Sequence, residues 1–499
     1  MSISAQILDE IPGNRGKASV GGTIADAGLG IAVRDADIVD LRDPIERLRQ
    51  LCDRTGVEIL HNTDGVVSGL GHLADTECVV FATDPRRSAG ALGRAGCDTI
   101  VAAYQTALNR NVPIVGIWQS GGARLPEGAA GLDAVGSVFA AMTTASGVVP
   151  QVSIVLGAAA GGAAYGPALT DVVITGPGAR VFVTGPDIVT RVTGEKIDAE
   201  SLGGPDVHAK SSGLSHVRAT SDAEAFGQAR DVVALLGARR TERVTGMATE
   251  AEASRGNPGD HLPKNARRAY DVRPILNSLL DDVPTELQRE WAPNIVTALG
   301  RIGGRAVGVI ANNPIRMGGC LTAIASEKAA RFVRLCDSFG LPLVVVVDVP
   351  GYLPGSKQET GGIVRRGAKL LHAFASATVP RFTVITHKAY GGAYIAMNSR
   401  SLGATKVLAW PSAVVDVMSA QAAVQITRRR DIAGTPEHLR EAAVDVFAAE
   451  HGELTGGLER AVLEGLIDEV IDPASTRSAL AKLIEGTPAT PSRKKNIPL

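Results

Sequence analysis

The chain states one pattern twice, about 230 positions apart. A buried apolar run, Val112 to Trp118, leads into Ser120-Gly121-Gly122-Ala123-Arg124, and a second, Val152 to Leu156, leads into Ala160-Gly161-Gly162-Ala163. Later, Leu343 to Val349 leads into Pro350-Gly351, and Phe382 to Thr386 runs on to Tyr390-Gly391-Gly392-Ala393-Tyr394. Gly121 against Gly351 and Gly161 against Gly391 each give an offset of 230, while Pro113 against Pro342 and Asp84 against Asn313 give 229. A near-constant offset over four landmarks is the mark of a duplicated domain. A chain of 499 residues also exceeds one compact core and suits two domains of roughly 200 residues each.

Each half alternates short apolar runs with helical periodicity. In the first half, Asp43 to Leu51 reads as a helix behind a proline, Cys78 to Ala82 as a strand, Asp98 to Asn109 as a helix, and Val112 to Trp118 as a strand. In the second, Arg305 to Ala311 is a strand, Ser326 to Phe339 a helix, and Leu343 to Val349 a strand. Arg365 to Phe374 is then a helix and Phe382 to Thr386 the next strand. Strand, helix, strand at this spacing implies parallel pairing with crossover helices, an α/β architecture. The expected organisation is an arm over 1–38, a first domain over 39–245, a polar linker over 246–268, and a second domain over 269–499.

Composition excludes several functions. The formal net charge of -1 gives no electrostatic case for nucleic acid or an anionic membrane. The charge-free stretch from Asp133 to Asp171 is broken by Gly147, Pro150 and Gln151 into a helix and a strand, so it reads as buried core and not as a membrane span. The N-terminus has Asp9 and Glu10 and no apolar segment of a signal peptide. Cys52, Cys78, Cys97, Cys320 and Cys336 show no metal-ligand spacing and read as reduced thiols, so the expectation is a cytoplasmic protein that needs no metal.

Conventional catalytic side chains are hard to find. Ser120 lacks the glycine two positions before it that a nucleophile elbow requires, since Trp118 stands there, and no Asp/His pair follows. Gly28-Leu29-Gly30 does not open a helix after a strand, and His372, His387 and His451 are scattered without partners. The Arg428-Arg429-Arg430 run reads as a solvated helix end. What stands out is the pair of Gly-Gly turns at matched places, each between a buried strand and a helix-like segment, Ala163 to Thr170 and Ala393 to Ser399. Backbone N–H groups there can face a ligand and polarise a carbonyl oxygen. Two donor sets imply two oxygens.

At these residues the sequence resembles the crotonase superfamily, and more narrowly the carboxyltransferase (beta) subunit of biotin-dependent acyl-CoA carboxylases. The resemblance runs through Asp43-Pro44 with Arg47-Leu48, Ser120 to Arg124 with Glu127-Gly128, Ala160 to Ala163 with Tyr165, and Phe182 to Pro186. It continues in Val192 to Glu195, Leu202 to Gly204 with His208, Ser212-Gly213 with His216, Tyr270 to Arg273, Ala311 to Pro314 and Lys328 to Phe332. Asp348 to Gly351, Gly361-Gly362 with Arg365, Lys388 to Tyr394 and Asn496 to Leu499 complete it.

The resemblance implies two tandem crotonase-like spiral domains, acyl-CoA on the first and biotin on the second, in a ring-shaped homohexamer. It implies an alpha-chain partner carrying biotin carboxylase and biotin carboxyl carrier functions. Carboxybiotin would give up its carboxyl group to the α-carbon of acetyl-CoA or propionyl-CoA. By the match, Gly161 and Gly162 would hold the thioester oxygen, and Gly392 and Ala393 the biotin ureido oxygen. Ser120, Gly121, Gly122, Ala123, Arg124, Ala160, Tyr165 and Ile395 would line the acyl-CoA site, and Gly351, Gly361, Gly362, Tyr390 and Gly391 the biotin site. The chain departs from the family pattern at His387, where relatives often have Arg, at Ser419 in Met418-Ser419-Ala420, and at Arg366. Two other enzyme readings stand beside this one: the carboxyltransferase of a sodium-pumping decarboxylase, and a biotin-independent hydratase or hydrolase. The second needs an acidic base near the first Gly-Gly pair, and Leu156 to Leu169 contains none. A non-catalytic assembly subunit is the third.

Overall fold

The computed structural model describes residues 40–237, 256–265, 268–455, 457–488 and 491–498. The expected arm over 1–38 and most of the expected linker lie outside these residues. Two eight-stranded sheets carry the chain. The first comprises β1 (Val57–Thr63), β2 (Val66–Leu73), β3 (Thr76–Thr83), β4 (Ile114–Ser120), β5 (Gln151–Ala160), β6 (Val172–Thr175), β7 (Arg180–Phe182) and β8 (Val217–Arg218). The second comprises β9 (Thr285–Leu287), β10 (Ile295–Ile302), β11 (Arg305–Asn312), β12 (Leu343–Val349), β13 (Arg381–Tyr390), β14 (Lys406–Ala409), β15 (Val414–Asp416) and β16 (Glu469–Val470).

The first sheet runs in the order β1-β2-β3-β4-β5-β6-β8 with β7 on β5, and the second runs β9-β10-β11-β12-β13-β14-β16 with β15 on β13. In both sheets the leading hairpins are antiparallel and the rest is parallel. The parallel strands are buried on both faces, which is why β12 is an unbroken apolar run apart from Asp348.

The duplication extends to backbone irregularities. Trp118 pairs with Val155, but Ser120 pairs with Ala159; in the second sheet Val347 pairs with Ile385, but Val349 with Ala389. Each bulge puts extra residues into the longer strand, which then leaves its first neighbour and pairs with β7 or β15. One sequence pairing is corrected. Leu92 N–H donates to the Gly122 carbonyl and Leu321 N–H to the Gly351 carbonyl, so Gly351 matches Gly122 and not Gly121. The offset is 229 there and becomes 230 by Pro150 and Pro380, whose carbonyls accept from Ile114 and Leu343.

Helix ends follow local chemistry. Asp43 Oδ1 accepts from the N–H groups of Ile45 (2.8 Å) and Glu46 (3.2 Å) to start the helix Pro44–Leu51. Thr322 caps Ala323–Phe339, which therefore begins three residues before the expected Ser326. The helix Arg94–Arg110 likewise starts before the expected Asp98, because Gly96 lets it lie close on Val66; a Cβ at Gly96 would sit 3.0 Å from Val66 Cγ2. The Arg428 to Arg430 run is solvent-facing, with Arg428 stacked 5.2 Å above the Phe447 ring.

One apolar core is continuous between the sheets, joining Val67, Ile117 and Ile154 of the first to Leu299, Ile310 and Val345 of the second through Asp222–Leu236 and Ala323–Phe339. A C-terminal strap crosses the same junction. Arg331 donates to the carbonyls of Asn496 (2.5 Å), Ile497 (2.7 Å) and Thr170 (3.0 Å), while Asn496 Nδ2 donates to buried Asp171 at 2.8 Å. Lys328, fully buried, spends its three N–H groups on the carbonyls of Gln288, Trp291 and Ile295 at 2.8–2.9 Å. No helix among the described residues is long and apolar enough to cross a membrane.

Candidate active site

The strand shift described above delivers two Gly-Gly turns. Gly161 (φ +56°) and Gly391 (φ +58°) occupy the left-handed region that glycine tolerates, turning β5 and β13 into the helices Gly162–Leu169 and Gly391–Ala396. A Cβ on Gly391 would also sit 2.9 Å from the Val417 carbonyl. Gly162, Gly392 and Ala393 stand in the first helical turn, where an N–H has no carbonyl four residues earlier within the helix. Gly162 is half-buried against Val135, whereas a Cβ on Gly392 would meet nothing within 4 Å. Gly392 faces open space.

One expected donor is corrected. The Gly161 N–H already donates to the Phe182 carbonyl at 3.2 Å, because the end of β5 pairs with β7. Its role is the turn. The 230 offset matches Gly392 and Ala393 to Gly162 and Ala163, which makes Gly162 with Ala163 the candidate first donor set. Buried levels agree, with Ala163 at 1 % exposure and Ala393 at 0 %.

The loop after β4 is largely scaffold. The Ser120 hydroxyl is buried and accepts from the Gly122 N–H at 3.2 Å, Gly121 N–H donates to Ala89, and Arg124 N–H donates to Leu92. Gly122 is needed as glycine, since a Cβ there would lie 2.8 Å from the Ala160 carbonyl. The Arg124 guanidinium holds Asp64 (2.7 Å) and Glu127 (3.3 Å). Ser120, Gly121, Gly122 and Arg124 thus all make hydrogen bonds within the protein, and of these Gly121 is the one exposed at the surface. The same pairing occupies two neighbouring carboxylates.

Beyond the turns, Tyr165 and Ile395 fall at matched positions and project from the surface, 49 % and 43 % exposed. Tyr165 packs edge-on to Phe139 with centroids 6.3 Å apart, over an open apolar groove of 620 Å³ lined by Phe139, Ala140, Thr143 and Leu169. Val183 borders the first turn and Val417 the second, and both are exposed. On the second side, Gly362 (φ +77°) starts the helix Ile363–Ser376 and Gly351 (φ +142°) bends the chain after β12. Tyr390 ends β13 half-buried, and burial, then the charges of Asp416 and Asp348, push its phenol pKa up, so it stays a neutral donor.

The remaining titratable groups are structural. His216 is half-buried, and desolvation, then the nearby Arg331 charge, pushes its pKa down to about 3; its neutral Nδ1 accepts from the Val173 N–H at 3.1 Å. The five cysteines are unpaired, and burial pushes Cys52 and Cys97 up to about 12, leaving them as thiols. Among the described residues no group of three His, Cys, Asp or Glu gathers to hold a metal. Backbone N–H groups in turns free of acids and bases are what both halves offer.

Comparison with known proteins then gives this geometry its setting. The model of the carboxyl transferase domain matches residues 35–496. The biotin-dependent acetyl-/propionyl-coenzyme A carboxylase beta6 subunit of Mycobacterium tuberculosis is 55% identical, over 92% of this chain and 98% of that protein. The propionyl-CoA carboxylase beta chain of Rhodococcus erythropolis is 51% identical, over 92% and 97%. The chain belongs to the carboxyltransferase family of biotin-dependent acyl-CoA carboxylases. Among solved structures, the hexameric transcarboxylase 12S core with methylmalonyl-coenzyme A superposes with a TM-score of 0.82 at 38% identity, covering 88% of each chain. The two sheets are therefore the two crotonase-like domains of a carboxyltransferase, and neither the hydratase nor the assembly-subunit reading is favoured.

Proposed function

We propose that this carboxyltransferase moves a carboxyl group from biotin, borne by a separate alpha chain, to the α-carbon of acetyl-CoA or propionyl-CoA. The observation that carries it is the matched pair of first-turn donor sets, Gly162-Ala163 and Gly392-Ala393, with no acid or base in either turn. Carboxybiotin, when bound, supplies the CO2 and the ureido nitrogen that takes the α-proton. The protein's work is then electrostatic. Gly162 and Ala163 hold the thioester oxygen as it gains enolate charge, and Gly392 and Ala393 hold the ureido oxygen as it gains negative charge. Donors fixed in a water-poor site need little reorganisation, and each is worth about 3–4 kcal/mol of transition-state stabilisation.

Acyl-CoA would lie along Gly121, Ala123, Ala160 and Tyr165, and biotin beside Gly351, Gly361, Gly362, Tyr390 and Gly391, with Ile395 closing the acyl pocket. The exposed apolar residues bordering the turns (Val183 on one half, Val417 on the other) suit burial against the opposite half of a neighbouring subunit in a homohexamer. An apolar wall at Ile395 separates substrates differing by one methylene by only about 1–3 kcal/mol, so both acyl-CoAs serve.

The purified chain, incubated with malonyl-CoA or methylmalonyl-CoA and free biotin, should release CO2 and the decarboxylated acyl-CoA in a biotin-dependent manner. Release that does not depend on biotin would contradict the reading. A sodium-pumping relative would do the same, and its genomic neighbour, a membrane pump in place of a biotin carboxylase, separates the two.

A further inference from the structure

Beside the end of β13 lies a cavity of 230 Å³, lined among others by Lys264, Arg268, Tyr270, Asp348, His387 and Lys388. Its single carboxylate is already served: Asp348 Oδ2 accepts from the Tyr270 hydroxyl at 2.9 Å with His387 Nδ1 at 3.6 Å, and Oδ1 accepts from the Lys388 N–H at 3.2 Å. Asp348 is only 3 % exposed, so its geometry is fixed from behind. Lys264 and Arg268, at the rim, pair with no carboxylate among the described residues. Lys264, Arg268 and Lys388 thus line one space whose own acid is occupied.

We propose that this cavity binds a small divalent oxyanion of the inorganic phosphate class, held by Lys264 and Arg268. Charge matching selects a dianion. The volume falls below the roughly 300–1,000 Å³ of pockets that enclose drug-sized ligands, which suits a small free ion. A guanidinium beside an ammonium presents donors in several directions, which suits a tetrahedral anion better than a halide. None of the proposed donors lines this cavity, although Lys388 on β13 lies three residues before Gly391.

The test is titration of the full-length protein with inorganic phosphate by calorimetry at low ionic strength. One saturable site per chain is expected, weakening as salt is raised. Lys264→Ala and Arg268→Ala should each weaken binding about tenfold or more, and Lys264→Glu should abolish it; both positions are exposed, so the fold is retained, as a thermal melt checks. Absence of saturable binding, or variants that bind like the wild type, would overturn the proposal. So would adenosine 3′,5′-bisphosphate displacing phosphate more tightly than phosphate displaces itself.

Discussion

Replacing Gly392 by proline removes one proposed donor and little else. Gly392 is the second residue of its helix, where proline is accepted because no i−4 hydrogen bond is lost and its φ is already helical in sign. No atom lies within 4 Å of a Cβ at this position, so the first carbon of the ring meets no wall. Gly392→Ala adds the same first carbon and keeps the N–H, which makes it the matched control. Loss of one oxyanion donor costs about 2.7–4 kcal/mol, or about 10²–10³ in kcat. The assay is biotin-dependent decarboxylation of malonyl-CoA, with sizing chromatography to establish assembly. Gly392→Pro should fall about 10²–10³ below Gly392→Ala in kcat while eluting as the wild type does. An assembled proline variant within tenfold of the alanine variant would refute the donor role.

Two further outcomes follow from the structure. Ile395→Asp puts a carboxylate on the exposed wall beside the second donor set, and should shift the kcat/KM ratio toward propionyl-CoA by up to about 1–3 kcal/mol; an unchanged ratio sinks the pocket assignment. Arg331→Met strips donors from three carbonyls and removes the cation that partly offsets the burial of Asp171, so urea unfolding should show a loss of about 3–5 kcal/mol. Burial already raises the Asp171 pKa, and the loss of Arg331 raises it further. The folded variant then takes up this proton at a higher pH than the folded wild type does, so its deficit relative to wild type should shrink as pH falls through that range. A deficit that grows on acidification would contradict this.

The repeat, the buried parallel strands and the Gly-Gly turns were legible because each depends on local sequence. Leu343–Val349 was read to the residue, since a strand buried on both faces is a plain apolar run. The hairpin of β1 and β2 was missed: Val57–Thr63 faces solvent over much of its length and mixes Glu, His and Asn into the pattern. The Gly161 donor was misassigned because only the pairing of β5 with β7 shows that its N–H is spent. The pairing of Arg124 with Asp64 could not be read from sequence, because the two lie 60 residues apart. The strap through Asn496 links positions 325 apart to Asp171, and no periodicity announces such a contact.

The central claim is that one site needs the first donor set of one chain and the second of another. Gly162→Pro, carried with Val135→Ala to relieve the 2.9 Å approach of a Cβ to Val135 Cγ1, disables the first set, and Gly392→Pro disables the second. Each variant alone should be inactive. In a hybrid pair one site holds both lesions and the other holds none, and half of randomly exchanged pairs are hybrid, so an equal mixture should recover about a quarter of wild-type activity. No recovery after demonstrated subunit exchange would contradict the account.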